Sequence, residues 1–155
     1  LGIIVQDIGL DGDVTAGLIA LTSVSMVLGK LFFGVMGDRV DHRKLYWVAN
    51  AATIVAVLLI MNAQSLEVLV IATFATGISG GGILPLMGLM YSYRFGVASF
   101  GRVMGFGMLT IMAGAISPIG AGWVYDLYGS YSYAFIALII IMLPSGIAMA
   151  WLRDR

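Results

Sequence analysis

Five apolar stretches, each about as long as a bilayer crossing, constrain this chain more than any other feature. Hydrocarbon about 30 Å thick is crossed by about 20 helical residues rising about 1.5 Å each. The stretches fall at residues 14–36, 45–61, 66–93, 102–125 and 133–152, taken below as the first to fifth spans. Backbone N–H and C=O groups find no water inside a bilayer, so a spanning segment of this kind pairs them within itself, as a helix. A soluble fold is excluded by the balance of residues: 61% hydrophobic against 10% charged leaves too few charges to cover a water-facing surface. The expected class is therefore all-α, a polytopic membrane helical bundle. Residues 1–5 read as the tail of an earlier helix, and the acidic, glycine-punctuated residues 7–13 as the turn that follows. The chain opens at Leu1 inside an apolar segment, without an initiator Met or a signal-peptide pattern, so the natural N-terminus is expected upstream.

Charge supplies the orientation. If the spans alternate sides, one side receives Arg39, Arg43, Lys44, Arg94, Arg102, Arg153 and Arg155, and the other receives no Lys or Arg. Basic residues are retained in the cytoplasm, which puts the loop at residues 38–44, the link at 94–102 and the C-terminus inside. Tyr46, Trp47, Tyr91, Tyr93, Tyr125, Tyr128, Tyr131, Tyr133 and Trp151 fall at the same boundaries, where amphipathic rings are favoured. The natural setting implied is multi-pass, in a bacterial inner membrane. Net charge is zero and no basic run interleaves with aromatics, so a nucleic-acid partner is set aside.

Glycine divides the spans. The third carries Gly77, Gly80, Gly81, Gly82 and Gly88, and the fourth region Gly101, Gly105, Gly107, Gly114, Gly120 and Gly122, whereas the second has none. Small residues let backbones approach where the solvent is itself apolar, so the third and fourth are expected inside the bundle and the second and fifth against lipid. Gly80-Gly81-Gly82 lacks the lysine and hydroxyl of a phosphate loop. With Pro85 behind it, it reads as a hinge or as close packing. Pro118 and Pro144 are expected to interrupt the fourth and fifth spans. Gly101-x-x-x-Gly105 is a packing pattern of low specificity.

Catalytic parts are missing. Cysteine is absent, His42 is the only histidine, and no paired intramembrane carboxylates or Ser with a buried base occur, so neither an enzyme nor a metal or other cofactor is expected. The informative run is Gly34-Val35-Met36-Gly37-Asp38-Arg39-Val40-Asp41-His42-Arg43-Lys44. It resembles the signature loop of the major facilitator superfamily: Gly, three residues, Asp, a basic residue, one residue, Gly, then basic residues. Asp41 stands where that family usually has Gly, and His42 where it usually has a basic residue. Gly34 would let a neighbouring helix approach, Asp38 would accept from that helix's N-terminus, and Arg39 and Arg43 would pair with carboxylates there, holding a gate shut. Pro118-Ile119-Gly120-Ala121-Gly122, then Tyr125-Asp126, Gly129-Ser130-Tyr131 and Phe135, is similar to the last two helices of the monocarboxylate and oxalate–formate branch. The resemblance implies that residues 1–155 are the C-terminal six-helix half, about helices 7–12, with the first helix truncated and the N-terminal half as its partner.

Lys30 is the only charged residue well inside a span. It lies eight residues before Asp38, about 12 Å inward. Its side chain leans toward the helix N-terminus, away from the nearer surface, which opposes an easy escape to water. A lysine at this depth costs on the order of 2.5 kcal/mol or more, so an interior cavity and an anionic partner are expected. Turn spacing places Ser23, Met26, Val27, Gly34 and Gly37 near its face, none of them acidic. The counter-charge is then in another half or is the substrate. In the resembling branch an arginine at this spacing from the motif glycine binds the substrate carboxylate. The resemblance thus implies a secondary transporter of a small organic anion working by alternating access, with Lys30 on the anion and Ser23, Thr110 and Ser117 as polar contacts. A carrier of neutral or cationic compounds, with Lys30 paired to an acid elsewhere, and a non-transporting assembly subunit are the alternatives.

Overall fold

The structure is a computed structural model and describes residues 2, 5, 9 and 11–151. The tail expected at residues 1–5 lies outside the described residues except for Gly2 and Val5, and so do Arg153 and Arg155 at the cytoplasmic end. Among the described residues six helices follow one another: α1 Gly12–Gly37, α2 His42–Met61, α3 Leu66–Phe95, α4 Val97–Gly114, α5 Ser117–Tyr128 and α6 Ser132–Trp151. They make five candidate crossings, with α4 and α5 forming one interrupted crossing over Val97–Tyr128. The class is therefore the all-α helical bundle expected of five long apolar helices.

The boundaries follow local chemistry. Asp41 is the N-cap of α2, its Oδ1 accepting from the Arg43 backbone N–H at 2.8 Å, so the second span begins at His42 rather than at residue 45. The link expected over residues 94–102 shrinks to Gly96, whose φ of 74° turns the chain in one residue, and Arg102 lies inside α4. The break in the fourth crossing falls just before Pro118. The Ala115 and Ile116 N–H groups fold back onto Met112 and Ala113 at 3.0 and 3.2 Å, a tight turn that ends α4, and Pro118 sits in the first turn of α5, where its missing donor is tolerated. Pro144 is different: α6 runs through it unbroken, against the interruption expected there. Neighbouring turns hold the helix where one bond is lost. Gly129, at φ 65°, caps α5 by donating to the Tyr125 carbonyl at 2.7 Å, and beyond it Tyr131 stacks on Tyr125 at 4.5 Å.

The chain forms two compact units, Leu1–Pro85 and Leu86–Arg155. In the first, Val5, Leu18 and Leu69 form a buried cluster with Val14 and Ala63 against it. Leu45, Ala49, Ala56 and Val57 of α2 are also buried, so the second span is not a purely lipid-facing support. In the second unit the fourth span, expected inside the bundle, is not covered by this chain. Within this chain the α4–α5 crossing is the least buried of the five, and of its six glycines only Gly107 meets neighbours, the side chains of Met87 and Tyr91. Gly101 and Gly105 face open space, so that pattern packs against nothing described.

Candidate functional site

The first unit is organised by a seam between α1 and α3. A side chain at Gly81 would run into the Met26 backbone, one at Gly29 into the Ile78 backbone, and one at Gly77 would sit 2.5 Å from the Ser25 Cβ and 2.7 Å from the Thr22 carbonyl oxygen. Small residues four apart on each helix, Ser25 and Gly29 against Gly77 and Gly81, thus bring the two backbones into contact. Each glycine also points Cα–H groups at a carbonyl across the seam, a weak but recurring attraction. Gly82 extends the seam by accommodating the Phe33 ring, which is 1% exposed. Polar groups are neutralised locally. Thr22, Ser25, Thr73, Thr76 and Ser79 all donate to carbonyls of their own helices at 2.7–2.8 Å, so no buried hydroxyl is left over to face hydrocarbon.

This seam fixes where Lys30 stands. Leu18, Ser25, Gly29, Phe33 and Gly37 are the buried positions of α1. Lys30 lies beside that stripe and is exposed, together with Ser23 and Val27. Ser23 donates to the Ile19 carbonyl at 3.0 Å, leaving its oxygen available as an acceptor. Among the described residues Lys30 has no hydrogen bond or ion pair. It is thus a lone ammonium about 12 Å from the helix end, displayed beside a packed seam and not within it.

The remaining candidates occupy distinct places. Thr110 and Ser117 belong to the second unit and are exposed; Thr110 donates to the Phe106 carbonyl at 3.5 Å, and Ser117 opens α5 at the break. In the signature loop, Asp38 is the C-cap of α1, its backbone N–H bonding the Met36 carbonyl, and its neighbour Asp41 caps α2. Asp38 and Arg39 are exposed, Arg43 is half-buried, and Gly34 meets nothing within 4 Å. The four hinge-or-packing candidates of the third span separate: Gly81 and Gly82 are in the seam, Gly80 faces open space, and Pro85 sits within an unbroken α3. Sequence reasoning missed Ser25 and Gly29, and it named Gly77 only as one of the third span's packing glycines. Their small-x-x-x-small spacing on two spans was the available signal.

The family model described as Major Facilitator Superfamily matches residues 1–155. An MFS-type transporter of Aspergillus fumigatus is 26% identical over 132 residues, covering 84% of this chain and 30% of the relative. The chain thus spans about a third of the length of that curated relative. No solved structure matches it.

Proposed function

The chain belongs to the Major Facilitator Superfamily and is an integral, multi-pass membrane protein, and we propose that it is the C-terminal half of a secondary transporter for a small organic anion. The observation that carries the reading is Lys30: deep in α1, exposed beside the seam, with no acid on its helix face and no partner among the described residues. In a low-dielectric cavity such an ammonium attracts a carboxylate far more strongly than in water. Ser23, on the same exposed side, is the proposed polar contact beside Lys30, and Thr110 and Ser117 are proposed separately as polar residues of the transport path. Resemblance to the monocarboxylate and oxalate–formate branch supports the anion class. The test is removal of the charge at Lys30, with binding measured across carboxylates and neutral analogues of similar shape. Loss confined to the carboxylates is expected; equal binding of neutral compounds in the parent protein would favour the alternative, in which Lys30 answers an acid of the other half.

Two further results are expected from this reading. The loop at residues 38–44 and the C-terminus lie in the cytoplasm, in a bacterial inner membrane, because the basic residues gather on one side. A chain without cysteine suits single-cysteine labelling. A cysteine replacing Ser65 is expected to react from outside and one replacing His42 from inside, and the reverse pattern would overturn the orientation. Secondly, the 155-residue chain alone is expected not to transport. The open glycine faces of α4 and α5 and the exposed Lys30 would then meet lipid, whereas a complementary half would cover them. Carboxylate uptake into liposomes by this purified chain, with no second polypeptide, would refute the two-half reading.

A further inference from the structure

Lys30 and Pro85 raise a question that the seam answers. Pro85 has no N–H, so the carbonyl of Gly81, four residues earlier in α3, loses its ordinary helical donor. The seam hydroxyls do not replace it, since those of Thr22, Ser25, Thr73, Thr76 and Ser79 donate to other carbonyls. A carbonyl deprived of its regular helical donor and an ammonium with no acid on its helix face are therefore held in one unit, each costly in hydrocarbon. Gly81 packs directly on the Met26 backbone, and Lys30 is the next residue on the Met26 stripe of α1, one turn on. With a single crossing between them, α1 and α3 run in the same direction, and helical carbonyls point toward the C-terminus. The Gly81 carbonyl is thus directed from the Met26 contact toward the turn that carries Lys30.

We propose that the Gly81 carbonyl, freed by Pro85, is the acceptor to which the Lys30 ammonium donates when no anion is bound. The exposed side chain seen in the structure swings back onto the seam in a bilayer, where water no longer satisfies it. The assignment deepens the anion-site reading by giving Lys30 a resting partner that a carboxylate must displace. It makes Pro85 a positioning residue for that lysine.

The test needs no substrate, so its failure leaves the anion reading standing, and failure of that reading leaves this one intact. The chain contains two lysines, Lys30 and Lys44, and the second lies in the signature loop as an internal reference. The 155-residue chain in lipid nanodiscs is treated with a limiting amine-acylating reagent at fixed pH, and the Lys30-to-Lys44 modification ratio is read by mass spectrometry. Pro85→Ala and Pro85→Gly both restore an N–H to the Gly81 carbonyl while differing in helix propensity. Loss of one charge-assisted hydrogen bond is expected to raise the ratio about tenfold in both. A cysteine replacing exposed Val27, alkylated in parallel, reports access to the same stretch and is expected to react unchanged. An unchanged lysine ratio in both variants overturns the proposal. An equal rise in lysine acylation and cysteine alkylation overturns it too, because access rather than a lost acceptor would then be the cause.

Discussion

In the complete transporter, Lys30→Gln is expected to weaken binding of a small carboxylate by at least about thirtyfold, and Lys30→Arg to retain part of it. Truncating one member of a desolvated, hydrogen-bonded charge pair typically costs about 2–5 kcal/mol, and a neutral amide offers the carboxylate only ordinary hydrogen bonds. Arginine keeps the charge and adds a planar fork in a pocket shaped for a compact ammonium, so partial retention with altered substrate geometry is the expected pattern. Lys30 is exposed beside the α1–α3 seam and not within it, so its replacement leaves the packed contacts of Gly29, Phe33, Gly77 and Gly81 in place. That separates loss of binding from loss of fold. The variant is first shown to insert and to stay monodisperse in detergent, and then titrated with mono- and dicarboxylates. Unchanged affinity in a well-folded Lys30→Gln protein would make the lysine a structural charge and remove the main support for an anion substrate.

The crossings were legible because hydrocarbon imposes a length and a composition that almost nothing else satisfies. The helix ends at Met61 and the start at Leu66 coincide with the expected bounds, since Asn62 and Ser65 bracket a polar turn. Local chemistry decided the ends that moved. Asp41 was read as the residue replacing a family glycine, yet its carboxylate caps α2 and draws His42 and Arg43 into the helix. Pro118 and Pro144 looked alike in the sequence. Pro118 follows Ala115 and Ile116, whose N–H groups close a tight turn, while Pro144 is embedded in a helix that carries on through it.

The glycines show where composition stops being informative. Counting them assigned both the third and fourth spans to the interior, but what each glycine packs against depends on what lies opposite, and the sequence does not state that. Gly77 and Gly81 meet Ser25 and the Met26 backbone across a seam, while Gly101, Gly105, Gly114, Gly120 and Gly122 meet nothing within 4 Å in this chain. Lys30 was legible as an isolated intramembrane charge. Its setting beside the seam was not, because that follows from which stripe of α1 packs on α3.

The seam makes the sharpest stability prediction, because adjacent glycines are expected to respond with opposite signs. Gly81→Ala is expected to destabilise the chain by about 2–3 kcal/mol, the upper range for overpacking a well-filled interface. The new methyl would meet the Met26 backbone, which cannot rotate aside as a flexible side chain can. The helices must then separate, and the neighbouring contacts at Gly29 and Gly77 open with them. Gly29→Ala, aimed at the Ile78 backbone, is expected to behave alike, and the double variant to cost less than the sum, since one separation relieves both clashes. Gly80→Ala faces open space and removes a glycine from the middle of α3, so it is expected to be neutral or to stabilise by up to about 1 kcal/mol. Gly82→Ala lies between these, because it displaces the Phe33 ring rather than backbone. Unfolding of each variant in mild detergent titrated with dodecyl sulfate, followed by circular dichroism, measures the series. Equal effects at Gly80 and Gly81 would show that the α1–α3 backbones are not in contact in the folded protein, and with the seam would go the placement of Lys30 that rests on it.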